Sequence, residues 1–313
     1  MKKWIIAAAL LVVLFIVSTY IFIPSKIIVA RTITANANSL AAYRFLSNDS
    51  NWVSWWPGSV TNTASNAVLA AGGYQFRKTS AMFESFDILI SKGESTEKSL
   101  LYLFALGPDS TRIKWSTAVI SGNNPFSRIR NYLHAEETGR QMDDILSAMQ
   151  KHISIVKNLY GIDIRKVKVT LDDMVSITRV IDHYPGNGDL YDMIRQMKYY
   201  ISQSQAKEPD VPITHTTPLK NGYFSVLVAV PVDRYLPGRD SIVPKKMLKG
   251  GDILVSDVTG GKSRIDSVMK LMDQYVSDHR HIRIAVPFQS LLTDRSNEPD
   301  SNKWFTKVYF PII

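Results

Sequence analysis

The sequence predicts an α+β protein of three parts. These are an apolar N-terminal transmembrane helix, a domain whose antiparallel sheet surrounds a long C-terminal helix, and a duplicated β-α-β-β domain with pseudo-twofold symmetry. Three observations predict this: an uncharged run from Trp4 to Ile23, a change from short β-like bursts to helical spacing at Pro125, and an internal repeat at an offset of 75 residues, from Asp182 to Asp257. The boundaries they imply are 1–24, 25–162 and 163–313.

The totals set the frame. At 313 residues, with 45% hydrophobic and 21% charged content, the chain has material for two packed domains. It has no cysteine, which excludes disulfides and thiolate metal sites. The net charge of +9 is dispersed, its longest runs being pairs such as Lys2-Lys3 and Lys245-Lys246, so no nucleic-acid partner is expected.

The first element, WIIAAALLVVLFIVSTYIFI, is long enough at about 1.5 Å per residue to cross a hydrocarbon layer of about 30 Å. Lys2 and Lys3 precede it, and Trp4 and Tyr20 lie near its ends. The positive-inside rule keeps the N-terminus cytoplasmic and places the rest beyond the membrane. A cleaved signal peptide would have a shorter apolar region and end in small residues, whereas STYIFIP follows here, so an uncleaved single-pass anchor is expected.

After Pro24, KIIVARTITA reads as a strand, and NANSLAAYRFLSND as a short helix with Leu40, Tyr43, Phe45 and Leu46 at helical spacing and Asn38 or Ser39 as its cap. NWVSWWPGS then places Trp52, Trp55 and Trp56, half of the six tryptophans, at the end of that helix. From Val68 to Ile120 the bursts YQFRKTSAMF, SFDILISKG, SLLYLFALG and TRIKWSTAVIS read as an antiparallel meander. Pro125 opens a helix running to about Tyr160, with Ile129, Tyr132, Leu133, Met142, Ile145, Leu146, Met149, Ile153, Val156 and Leu159 as its apolar stripe.

Beyond Gly161 the repeat pairs Leu190 with Ile265, Met197 with Met272, Tyr200 with Tyr275 and Pro212 with Pro287. Each copy reads as a strand (VSITRVIDHY; DILVSDVTG), a helix (DLYDMIRQMKYYISQ; SRIDSVMKLMDQYVSD), then strands (VPITHTT and GYFSVLVAVPV; IRIAVPFQSLL and WFTKVYFPII). Two such units sharing one sheet leave a cleft along their dyad and bury the apolar side of both helices.

Two resemblances follow from these stretches. Residues 25 to about 160, with IIVARTITA, SLAAYRFLSND, NWVSWWPG and the long terminal helix, resemble the SRPBCC superfamily, the helix-grip fold of START-related lipid carriers and polyketide cyclases. Residues 165 to 313, with FSVLVAVPVDR, KGGDILVSDVTGG, PFQSLLTD and FTKVYFPI, resemble the GyrI-like effector-binding domain found in bacterial transcription activators. The second resemblance implies a pocket in which many members place a glutamate and a tyrosine. This chain departs with Gln289 and Leu291 there, and with Lys307 where a terminal acid is expected. A glutamine offers neither negative charge nor a general base, which weakens both a cationic-drug and a hydrolase role.

Other motifs read as structure. His279-Arg280-His281 offers two imidazoles, and with Asp278 still too few ligands for a zinc site, while His134, His152, His183 and His215 are scattered; no metal and no cofactor is expected. GNGD at 186–189 and GGKS at 260–263 suit strand-to-helix turns. Glu136-Glu137 and Asp143-Asp144 point about 100° apart on a helix and suit a solvated face. Asp182 and Asp257, at matching strand ends, serve either turn stabilisation or cleft lining.

The sequence thus points to a bacterial inner-membrane protein whose extracytoplasmic domains bind or sequester a small hydrophobic or amphipathic molecule without catalysis. The alternatives are a hydrolase or cyclase acting on such a molecule, and a ligand-responsive regulatory module with a protein partner the sequence does not identify. The residues expected to meet ligand are Trp55 and Trp56 in the first domain, and Tyr184, Tyr223, Phe224, Gln289, Trp304 and Tyr309 in the second, aromatic and polar groups near strand ends.

Overall fold

A computed structural model describes residues 2–63 and 66–313. The chain divides into two compact units, Met1–Leu159 and Tyr160–Ile313, each α+β with an antiparallel sheet.

In the first unit, helix α1 (Lys2–Phe22) is exposed along nearly all of its length and is long and apolar enough to be a membrane span or a signal sequence. Its last turn is tied down by polar contacts. Tyr20 donates its hydroxyl to the Asn123 carbonyl at 2.6 Å, and Arg128 donates to the Ile23 carbonyl at 2.6 Å with its guanidinium 4.3 Å over the Tyr20 ring. An arginine on a terminal helix carbonyl satisfies an acceptor that has no intrahelical donor.

Strand β1 (Lys26–Ala35) follows, then α2 (Ser39–Ser47) and α3 (Asp49–Trp52). Asn38 caps α2, its side chain accepting from the Leu40 and Ala41 amides. Six further strands complete a curled sheet: β2 (Ser59–Thr63), β3 (Asn66–Ala71), β4 (Tyr74–Met82), β5 (Ser85–Lys92), β6 (Ser95–Gly107) and β7 (Ser110–Ile120). Their order is β1-β7-β6-β5-β4-β3-β2, a meander whose last strand is joined by the first, with Lys26 opposite Ile120 and Ala35 opposite Thr111. β2 and the start of β3 precede the predicted beginning of the meander at Val68. SVTNT is polar and carries no alternation, so periodicity does not reveal it.

Helix α4 (Pro125–Ile153) starts at the predicted proline, with Asn124 and Ser127 forming a reciprocal capping box. Gln150 and Met149 belong to its last full turn, and Met142, Ile145, Leu146, Met149 and Ile153 are buried against the sheet. Two features of the predicted helix need correction. It ends at Ile153 rather than near Tyr160, because the Ile155 amide turns back to the His152 carbonyl at 3.3 Å and breaks the i to i−4 ladder before α5 (Val156–Tyr160); Asn158 donates to the same carbonyl at 2.8 Å. Tyr132 and Leu133 of the predicted stripe are exposed.

The second unit is one eight-stranded antiparallel sheet with two helices. Its elements are β8 (Arg165–Lys168), β9 (Asp173–Ile181), α6 (Asn187–Gln203), β10 (Ile213–Pro218), β11 (Phe224–Pro231), β12 (Val243–Lys246), β13 (Asp252–Thr259), α7 (Lys262–Asp278), β14 (Phe288–Leu291) and β15 (Phe305–Ile312). The order is β12-β9-β11-β10-β14-β15-β13-β8, so β10 and β14 meet at the middle, with Ile213 opposite Ser290 and Thr214 opposite Gln289. α6 buries Leu190, Met193, Ile194, Met197 and Ile201 against the sheet; α7 buries Ile265, Val268, Met272 and Val276. The predicted strand IRIAVPFQSLL contracts to four residues. Ile282 and Ile284 bond the backbone of Ile313 and Pro311 in isolated fashion, and Pro287, lacking an N–H, separates them from the β14 ladder.

Candidate functional site

The three tryptophans of NWVSWWPGS pack in the core of the first unit. Trp52 donates its indole N–H to the Leu46 carbonyl at 2.6 Å and Trp56 to the Ala70 carbonyl at 3.1 Å, and the rings of Trp52, Trp55 and Trp56 lie 5.0 to 6.1 Å apart. Phe76 extends the cluster to Trp115. Trp55 and Trp56 border none of the cavities described here, and both are buried. Aromatic surface of this size is explained by core packing alone.

The second unit holds a concavity on the helix side of its central strands. Side-chain alternation decides which residues reach it. From the β10–β14 pair, Thr214 and Gln289 point toward the helices, while their neighbours Ile213 and Ser290 point to the opposite face. The first turns of both helices close the sides: Gly186, Asn187 and Leu190 from α6, and Lys262, Ile265 and Asp266 from α7. Tyr184, Arg295 and Trp304 complete a cavity of about 280 Å³. An adjoining cavity of about 370 Å³ shares Tyr184, Thr214, Lys262 and Gln289 and extends toward Phe224 and Met269.

The glycine stretches explain how the helices start where they do. Gly186 is the N-cap of α6, its N–H donating to Asp189 at 2.8 Å, and Gly261 is the N-cap of α7. Gly260 has φ 130°, a conformation costly for any residue with a Cβ. Asp182 binds His183 at 2.8 Å, and the same imidazole reaches Asp189 at 3.2 Å; these carboxylates, Asp182 first, raise the His183 pKa above its usual range. Asp257 pairs with Arg165 at 2.6 Å. Neither Asp182 nor Asp257 borders the cavity.

Arg295 is the residue sequence reasoning missed. It lies in the polar stretch TDRSNEPDSNKW between β14 and β15, yet it is only 8% exposed. Its backbone N–H donates to the Tyr191 hydroxyl at 2.6 Å, its Nη2 donates to Thr306 Oγ1 at 2.8 Å, and its guanidinium lies 4.6 Å over the Trp304 ring. Trp304 is fixed in turn by donating to the Glu298 carbonyl at 2.8 Å. Burial pushes the Arg295 guanidinium below its ordinary pKa. Lys262 forms an i,i+4 ion pair with Asp266, which raises the lysine's pKa, and its ammonium sits 4.4 Å over the Tyr184 ring. Burial raises the Tyr184 phenol, which therefore stays protonated near neutrality.

Of the predicted ligand residues in this unit, Tyr184, Gln289 and Trp304 converge on the cavity and Phe224 lines its extension, its ring edge-on to Tyr184 at 5.6 Å. Tyr309 faces the other side of the sheet, stacked on Phe288 at 5.0 Å, in a separate and more apolar cavity of about 270 Å³ with Met174 and Met247. Tyr223 is exposed and borders neither. His279 stacks on Tyr275 at 3.8 Å, away from these cavities. Among the described residues, no group of three or more His, Asp or Glu side chains is arranged to hold a metal.

No family model and no curated protein matches the chain. Among solved structures it is similar to EcmrR in an EcmrR-DNA complex, at 16% identity and TM-score 0.43, covering 60% of this chain and 71% of that one. The EcmrR C-terminal domain gives 14% identity and TM-score 0.38 over 49% of this chain and 98% of that one. A hydrolase from Listeria innocua gives 10% identity and TM-score 0.36 over 48% and 92%. Each is a partial overlap and assigns the cavity no ligand.

Proposed function

We propose that the protein is a membrane-anchored small-molecule binder whose second unit, residues 163–313, is a GyrI-like effector-binding domain that holds a hydrophobic or amphipathic ligand without chemistry. The observation that carries this reading is the cavity at the β10–β14 pair, where two aromatic walls, Tyr184 and Trp304, meet polar groups from Thr214, Gln289 and Arg295. Apolar surface with a few placed polar groups is the usual composition of a ligand site. The matched placing of β9-α6-β10-β11 and β13-α7-β14-β15 about the central pair supports the reading of a duplicated unit. The uncharged helix α1, preceded by Lys2 and Lys3, supports an anchor with the remainder extracytoplasmic. Residues 25–162 suit a helix-grip domain of SRPBCC type, the sheet of the first unit curling past α4.

Non-catalytic binding is favoured by the pairing of Asp266 with Lys262, which leaves the cavity without a free carboxylate to act as base. The test is to purify the full chain in nonionic detergent, extract it with organic solvent and identify co-purifying molecules by mass spectrometry. A small amphiphile recovered in stoichiometric amount is the expected result. Recovery of nothing, together with no thermal shift across a panel of lipids and cationic dyes, contradicts the proposal.

A further inference from the structure

The cavity in the second unit carries a charge that the chain itself does not balance. Arg295 is more than nine-tenths buried, and among the described residues no carboxylate lies within ion-pair distance of it. Its Nη2 is bonded to Thr306, but its Nε has no hydrogen-bond partner. Thr214, only 4% exposed and bordering the same cavity, likewise has a hydroxyl without a partner. A buried guanidinium is costly unless it is paired, and unsatisfied buried donors mark the place where a partner is missing.

The remaining charges around the cavity do not supply that partner. Lys262 and Asp266 neutralise one another, and His215 has both ring nitrogens occupied, by the Pro287 carbonyl at 2.6 Å and the Thr217 hydroxyl at 2.7 Å. The α7 helix begins beside the cavity with no acidic residue in its first turn and no side-chain cap, which adds partial positive charge. Tyr184 and Trp304 contribute flat aromatic surface next to this charge.

We infer that the cavity recognises an anionic amphiphile, a molecule with a carboxylate, sulfonate or phosphate headgroup on an aromatic or aliphatic body, whose headgroup pairs with Arg295 and accepts from Thr214 while its body lies against Tyr184 and Trp304. This rests on the ligand-binding reading above and gives that ligand its charge. Arg295 and Thr214 border the same cavity, where an anion gains charge-assisted hydrogen bonds, whereas a cation placed there meets an unbalanced positive charge.

The test compares three probes of nearly equal shape: 1-naphthalenesulfonate, 1-naphthylmethylammonium and 1-naphthalenemethanol. Each is titrated calorimetrically into the full chain in nonionic micelles, with partition into empty micelles subtracted. The sulfonate is expected to bind at least about tenfold more tightly than the ammonium, with the alcohol between them. Arg295→Gln is expected to bring the three within about threefold of one another, and Arg295→Lys to retain the order. If Arg295→Gln does not fold, the wild-type order of the three probes decides alone. Equal or tighter binding of the ammonium overturns the inference while leaving ligand binding intact. A sulfonate preference that survives in folded Arg295→Gln overturns the role given to Arg295. Absence of binding by all three also overturns the inference, and the solvent extraction then decides separately whether the ligand-binding reading survives.

Discussion

Trp52 and Trp55 sit in contact and differ in one hydrogen bond. The Trp52 indole N–H is satisfied by Leu46, whereas that of Trp55 is buried without a partner. An unmade buried bond costs about 1–3 kcal/mol, an amount that offsets much of the packing Trp55 provides. Trp55→Phe is therefore expected to change stability by less than about 1 kcal/mol, while Trp52→Ala, which empties the centre of the cluster, costs about 3–5 kcal/mol. Chemical denaturation followed by tryptophan fluorescence measures both. His152 gives a pH signature in the same unit: its ring packs on Phe45, and burial lowers its pKa. Folding thus disfavours the charged form, so the unfolded chain binds more protons in this range. Stability is complete above the unfolded histidine value of about 6.5 and declines as pH falls from there toward the lower folded value. His152→Phe is expected to remove that decline, as read by thermal unfolding between neutral and mildly acidic pH.

At the scale of elements, the start of α4 is tied to the end of the apolar helix α1. The Asn124 side chain accepts from the Ser127 amide at 2.7 Å, and Arg128, one residue on, holds the Ile23 carbonyl just past the end of α1. Asn124→Ala removes the cap and is expected to cost about 1 kcal/mol, lowering the melting temperature without changing helix content beyond the first turn. Much of this level was legible in the sequence. KIIVARTITA and SLAAYRFLS form where expected, and the helix from Pro125 starts where expected though it ends early, the two helices carrying explicit caps. SVTNT, which forms β2, carries no pattern to announce it, and IRIAVP reads as strand but stays outside β14, because strand formation there depends on what lies alongside rather than on local pattern. The site was legible in part for the same reason. Tyr184, Gln289 and Trp304 declare themselves as aromatic or polar groups beside strands, but Arg295 sits among Asp, Ser and Asn in a stretch that reads as a solvated loop. Its burial comes from Tyr191, Trp304 and Thr306, partners brought to it by three different segments. Tyr309 lies on the other face of the sheet from Gln289, in the second cavity, because one step along a strand changes the face and the register with β14 is not legible in the sequence.

For the whole molecule, the proposed anchor and the proposed binding unit each have their own measurement. With Lys2 and Lys3 retained on the cytoplasmic side, a reporter fused after Ile313 is expected to give an extracytoplasmic signal; a cytoplasmic signal contradicts the assigned orientation. The central claim, that the cavity at the β10–β14 pair holds a small molecule, is tested most directly by native mass spectrometry of the full chain released from micelles, beside a variant that fills the cavity. Thr216 on β10 lines both parts of the concavity, and Thr216→Trp places a large ring within it. The predicted result is a discrete small-molecule adduct on the wild-type chain that is missing from a Thr216→Trp chain with an unchanged melting temperature. A wild-type chain that carries no adduct when purified and after incubation with amphiphiles, or an adduct equally present on the folded variant, would contradict it.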